Sequence, residues 1–216
     1  MAPPLLRAMQ SGLEAMYRVS TELDVHDFLV DDDDRGVIAP ARAPGEQLFV
    51  RQDAEGLSMG LFVDHAAMAR LAANDPRERL DEENLPDFLL ALEGVSHFVY
   101  LACRAQAARP VSAVELELQA EVDKFAVALL VGWDQTGEPS TDLRERLFKR
   151  VSYLPDLSDE ERSRYALAND AANEYCASLE SRFVRRRAAD DMLAELRRFY
   201  QQGLHGKLDH IARRAA

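Results

Sequence analysis

The sequence predicts a mainly α protein: a helical bundle carrying a small N-terminal antiparallel β-hairpin or three-stranded element. Three observations carry that prediction. Apolar residues recur at helical spacing through most of the chain. One stretch, 46–64, instead alternates apolar and polar residues across the turn sequence Asp53-Ala54-Glu55-Gly56. Finally, Ser112-x-x-Glu115 and Ser158-x-x-Glu161 have the capping-box form at the start of long periodic runs.

A first helix is expected over 5–19, where Leu6, Met9, Leu13, Met16 and Tyr17 share a face after Pro3 and Pro4. Residues 24–30 read as a short strand, broken by the run Asp31 to Asp34, with a loop over 40–45. The hairpin follows, Gly56 being free to take positive φ. A lone hairpin is marginal in water, so 24–30 should pair with it or a helix should cover it. Asp64 is placed to cap a short helix over 65–73, stopped by Asn74-Asp75-Pro76. A charged linker leads to two long helices, 85–107 with Asn84 as cap and 113–131, joined through Pro110 and expected to pair as an antiparallel hairpin. Trp133 falls just past the second, in a loop over 132–141. Beyond lie a short helix over 143–151, a long one from Ser158 to about 187, another over 188–202, and a final turn or two after Gly203 and Gly206. The whole reads as a single domain, 1–216, with an N-terminal α+β portion at 1–75 and a helical bundle at 85–216.

Charge restricts the functions to consider. The chain carries 26 Lys and Arg against 38 Asp and Glu, a formal net charge of −12. Phosphate binding needs clustered cations, so nucleic acid and anionic membranes are not expected as partners. The one exception is the basic C-terminal region, 181–216, with nine Arg or Lys against four Asp or Glu. Two cysteines without a Cys-x-x-Cys pair exclude a zinc ribbon, and they point to a reducing cytoplasmic setting in which Cys103 and Cys176 act as small buried hydrophobes. The strong bias to arginine over lysine suits a GC-rich bacterial genome. No uninterrupted apolar stretch suggests a membrane span.

The most informative feature lies on the first long helix. Leu89, Leu90, Leu92, Val95, Phe98, Val99 and Leu101 make it strongly apolar, yet Glu93, His97, Tyr100 and Arg104 fall at spacings of four, three and four, on one face. Gly94 beside them signals close approach of a neighbouring element or ligand, since Gly within a helix costs about 1 kcal/mol relative to Ala. On the second long helix, Glu117, Glu121 and Lys124 form a matching row. Two roles suit these seven residues. They can form an internal hydrogen-bond and ion-pair network, or they can bind a ligand, with His97 as acid–base or ligand residue and Arg104 or Lys124 holding an anionic group. Glu93, His97, Glu117 and Glu121 are of metal-ligand type, but the spacing is Glu-x-x-x-His, once, and not the paired Glu-x-x-His of di-iron bundles. Asn169, Asp170 and Asn173 are expected to bridge helices on a polar face.

No catalytic, P-loop, dinucleotide-binding or Ser-His-Asp signature occurs, and no cofactor is implied. The expectation is therefore a non-catalytic intracellular accessory protein that binds a protein partner through an acidic helical body. The alternative is a helical ligand-binding protein or enzyme, metal-dependent or not, that uses the polar stripe.

Overall fold

The structure, a computed structural model, describes residues 4–39, 45–54, 56–149 and 157–215. It is mainly α with a small antiparallel hairpin. In chain order the elements are α1 (Leu5–Tyr17), a 3₁₀ turn (Val25–Phe28), α2 (Asp32–Ile38), β1 (Glu46–Asp53), β2 (Gly56–Val63), α3 (His65–Ala73), α4 (Leu85–Gln106) and α5 (Ala113–Thr136). Then come α6 (Leu143–Lys149), α7 (Asp159–Arg182), a second 3₁₀ turn (Val184–Arg186), α8 (Ala189–Tyr200) and α9 (Leu204–Ala215). The chain forms two compact units, one of residues 1–15 and 19–109, the other of residues 16–18 and 110–216. The expected pairing of the two long helices falls across that division. Each has packing partners in its own unit: α4 against β1, β2 and α3, and α5 against α7 and α6.

In the first unit the hairpin pairs Glu46 with Val63 through Asp53 with Gly56, and Gly56 has φ +137°. The expected strand at 24–30 is mostly a 3₁₀ turn. The Asp24 carboxylate takes the His26 N–H at 3.0 Å, and the Gln10 side-chain oxygen takes the Val25 N–H at 2.9 Å. These local bonds outcompete a ladder. Only Leu29 bridges to Leu61, in parallel, with the Val30 N–H on the Leu61 carbonyl at 2.9 Å. The four aspartates do not simply break the chain. Asp31 accepts the Asp34 N–H at 2.8 Å and starts α2, whose acidic first turn complements the helix dipole. Asp64 caps α3 as expected. Asn84 precedes α4 but makes no cap bond. Its amide donates to the Asn74 and Arg79 carbonyls at 3.2 and 2.7 Å and so ties down the charged linker.

Gly94 answers to a neighbouring element. A Cβ at that position would stand 2.9 Å from Leu61 Cδ1 and 3.1 Å from Glu46 Oε2. The missing side chain lets the hairpin lie directly on α4. Gly94→Val is accordingly expected to lift the hairpin and destabilise the protein by about 1–3 kcal/mol, read from the urea midpoint. By length and composition alone α4 is apolar enough to cross a membrane, which the sequence reading did not expect, but 72% of its most apolar window is buried within the protein.

In the second unit the row Leu118, Val122, Phe125 and Leu129 is buried, while Val114 is only half-buried. Helix α5 runs past Gly132 and includes Trp133, because a helical Gly is only a modest penalty. The true stop is Gly137, whose φ of +78° sends its N–H back to the Trp133 carbonyl at 2.8 Å. Asn173 accepts from Arg144 at 2.7 Å and the Asn169 amide donates to the Phe148 carbonyl at 3.3 Å, so both bridge α6 to α7 as expected. The expected end of α6 near residue 151 lies outside the described residues. The Ser158–Glu161 capping box is complete. The Ser112 box is half formed: Ser112 takes the Glu115 N–H at 3.2 Å, but the Glu115 carboxylate instead accepts the Leu204 N–H at 3.0 Å. That bond satisfies an orphan donor at the start of α9. Helix α9 is therefore a full helix running through Gly206, and not a closing turn.

Candidate functional site

The α4 stripe forms as read. Tyr100 is 1% exposed, His97 6% and Arg104 8%, while Glu93 is half-buried. The Arg104 guanidinium lies 5.6 Å from the Tyr100 ring centroid, a cation–π contact along one helix face. The residue missing from the sequence reading is Glu46 on β1, whose Oε2 stands 3.8 Å from His97 Nδ1. Its position, one residue after the loop, hid it, since no spacing along β1 relates it to α4.

The matching row belongs to the second unit. Lys124 Nζ pairs with Glu121 at 2.8 Å, and Arg164 on α7 stands 3.8 Å from the buried Glu117. The seven residues are thus shared between the units, four and three. Arg104 on α4, and Glu117, Glu121 and Lys124 on α5, have contacts in their own unit.

The densest buried chemistry lies elsewhere in the second unit. Glu195 on α8 is completely buried beside Met192, Leu196 and Phe199. Its carboxylate receives Arg198 at 2.6 Å, His210 Nε2 at 2.7 Å, Arg214 at 2.8 Å and Arg182 at 3.5 Å. Burial pushes the Glu195 carboxyl up, but the hydrogen bonds of Arg198 and His210 and the charge of Arg214 outweigh it, so the group ionises below its ordinary value. His210 is held below its ordinary value of 6.5, first by burial and then by Arg214, against the opposing pull of Glu195. His210 Nε2 faces Glu195 and also accepts from the Arg214 Nε–H at 2.7 Å, while Nδ1 lies 3.2 Å from the Gln202 amide. The basic C-terminal region therefore spends much of its charge inside its own unit. Arg197 adds a bond to the Met16 carbonyl at 2.7 Å, and Arg187 pairs with Glu138.

A second buried chain starts at Tyr17, whose hydroxyl donates to Asp123. Gln119 donates to the same carboxylate at 2.8 Å, and its oxygen accepts from Lys207 on α9, which is fully buried. Burial and the Asp123 charge hold the Tyr17 phenol protonated well above its usual range. Lys207 also sits 5.0 Å over the Phe199 ring. Phe199 stacks on Tyr175 at 4.0 Å, Tyr17 on Tyr200 at 3.9 Å, and His210 meets Tyr175 and Phe199 edge-on at 5.9 and 5.7 Å. Sequence reasoning passed over these groups, though a signal existed. Glu195, Lys207 and His210 fall on the apolar faces of α8 and α9, where a charge needs a partner.

His210 has a consequence for pH. The unfolded chain binds its proton more tightly than the folded one, so the stability tied to it is intact above 6.5 and falls as pH drops below that value. A His210→Gln variant is expected to lose less melting temperature than the wild type between pH 7.5 and 5.5, measured by circular dichroism. Glu195 acts further into acid, because its lowered value keeps its contribution until pH falls through the folded-state ionisation.

Burial, with the charges of Glu180 and Glu121, pushes the Cys176 thiol well above its ordinary range, and Cys103 is half-buried. Over all residues, 19 Asp and Glu against nine Arg fall in the first unit, a net −10, whereas the second holds 19 against 17, a net −2. Helix α2 has no buried residue, and it leaves Val37 82% and Ile38 56% exposed beside its acidic turn. Comparison with known protein families, with characterised proteins and with solved structures finds no match to this chain.

Proposed function

We propose that this chain is a non-catalytic accessory protein whose acidic first unit binds a basic protein partner. The observation that carries the reading is the charge division, with −10 of the net −12 in the first unit. Such a field accelerates encounter with a cationic surface and penalises anionic ones. The arrangement of α2 supports it, because exposed Val37 and Ile38 beside Asp31 to Asp34 pair an apolar anchor with steering charge. The internal pairing of Arg104, Lys124, Arg164 and the Glu195 cluster supports it too, since those groups already serve the fold. A reducing intracellular compartment suits the two free cysteines.

The test is affinity purification of the tagged chain from its native cell at about 50 and 300 mM salt, with mass spectrometry. The expected result is a basic protein retained at low salt and weakened at high salt. The Asp32→Lys/Asp33→Lys/Asp34→Lys variant should reduce its recovery several-fold. Equal recovery at both salts and from both proteins would remove the reading.

A further inference from the structure

Three arginines of the second unit share one carboxylate. Arg214 on α9 stands 2.8 Å and Arg182, at the end of α7, 3.5 Å from Glu195 Oε1, and Arg198 on α8 stands 2.6 Å from Oε2. Contact with the same group brings guanidiniums from three helices together. Among the described residues, Glu195 is the one carboxylate that pairs with any of them. His210 adds no charge near neutral pH, since burial holds it below its ordinary value of 6.5. Three permanent cations against one anion leave a local charge of +2. The second unit as a whole is net −2, so this excess is made by the packing and not by composition. Depth separates the two signs. Glu195 is completely buried, whereas the side chains of Arg182, Arg198 and Arg214 are 37%, 62% and 27% exposed. The carboxylate lies beneath, and the guanidiniums form a rim that solvent reaches.

We propose that Arg182, Arg198 and Arg214 form a surface binding site for a doubly charged tetrahedral oxyanion of the phosphate class. The local excess of +2 matches a dianion, whereas a singly charged carboxylate leaves half of it uncompensated. Guanidinium forks also match the edges of an oxyanion and hold it by paired N–H bonds. Each arginine has donors to give, because a guanidinium carries more N–H groups than the contacts to Glu195 and His210 use. The rim is positioned before any ligand arrives. Arg214 is held a second time by its Nε–H on His210 Nε2 at 2.7 Å, and Arg182 lies 4.6 Å over the Phe183 ring centroid. Such fixing lowers the entropy that binding would otherwise cost. Glu195 is then a positioning residue, serving the fold with the inner edges of the arginines and leaving their outer edges to the anion. The inference concerns the second unit alone and does not depend on a partner for the acidic first unit.

The experiment titrates the full chain by isothermal calorimetry at about pH 8 and about 50 mM salt, free of divalent metal. The probes are inorganic phosphate and glycerol phosphate, a monoester, both doubly charged at that pH. The expected result is one anion per chain with a Kd below about 1 mM, displaced by sulfate and not by acetate. Tighter binding of the ion alone assigns the site to free phosphate, and tighter binding of the monoester assigns it to a phosphorylated small molecule. Arg182→Gln and Arg198→Gln should each weaken binding by about tenfold, and Arg198→Lys, which keeps the charge but not the fork, by less. Arg162→Gln removes an exposed cation near the other end of α7 and should bind as the wild type does. No saturable binding of either probe below about 1 mM, or equal binding of acetate, would overturn the proposal. So would an Arg162→Gln loss as large as that of Arg198→Gln, which means unspecific attraction. Should Arg182→Gln fail to fold, the more exposed Arg198→Gln decides, and unchanged affinity in that variant overturns the site.

Discussion

Glu195→Ala is expected to destabilise the protein by about 3–5 kcal/mol, the largest effect of any single substitution outside the apolar core. The carboxylate is fully buried, and it gathers Arg182, Arg198, Arg214 and His210 around one point. Removing it leaves Arg182, Arg198 and Arg214 without the counter-charge they share, and leaves His210 without its partner at the buried centre of the cluster. The loss should appear as a lower urea midpoint with the slope unchanged. Glu195→Gln keeps the shape and some hydrogen bonding, so it should lose less and separate charge from packing. Arg198→Ala should cost only about 0–1 kcal/mol, because that side chain is 62% exposed and its pairing is screened by solvent. Equal losses from Glu195→Ala and Arg198→Ala would show that the carboxylate is not the centre of the cluster.

Lys207→Met should follow, with a loss of about 3 kcal/mol. The change keeps most of the volume but removes the donor to Gln119 and the cation over Phe199. It also strips positive charge from a chain that ends on the buried Asp123. Part of the loss is recovered because an ammonium no longer has to be buried. The decisive measurement is a double-mutant cycle with Asp123→Asn. If Gln119 couples the two charges, the double variant should be more stable than the single losses predict by about 1 kcal/mol or more. Strict additivity would mean that the aspartate and the lysine are independent.

Much of the fold was legible because it depends on short-range rules. Apolar spacing of three and four located α4, α5 and α7, alternation located the hairpin, and Ser158-x-x-Glu161 marked a helix start that the structure completes. The errors were also local. A loop was expected from Gly132 and a break at Gly206, yet both lie inside helices, and it is Gly137 that adopts the positive φ that ends α5. Asp31 was read as a break where it is a cap, because the same carboxylate chemistry ends a strand or begins a helix according to which N–H it meets.

The sequence by itself determined the helical class, the hairpin, the acidic charge and the polar stripe Glu93, His97, Tyr100 and Arg104, since each follows from composition or from periodicity within one element. Only the tertiary structure decided what those charges meet. Glu46 reaches His97 because Gly94 leaves space for β1 on α4. Glu115 leaves its own helix start to cap α9, and α8 and α9 bring Glu195 to His210 across fifteen residues. Such partnerships depend on how elements far apart in the chain pack, and no spacing along one helix encodes them. A charge on an apolar face announces that it needs a partner, but the partner is chosen by the packing.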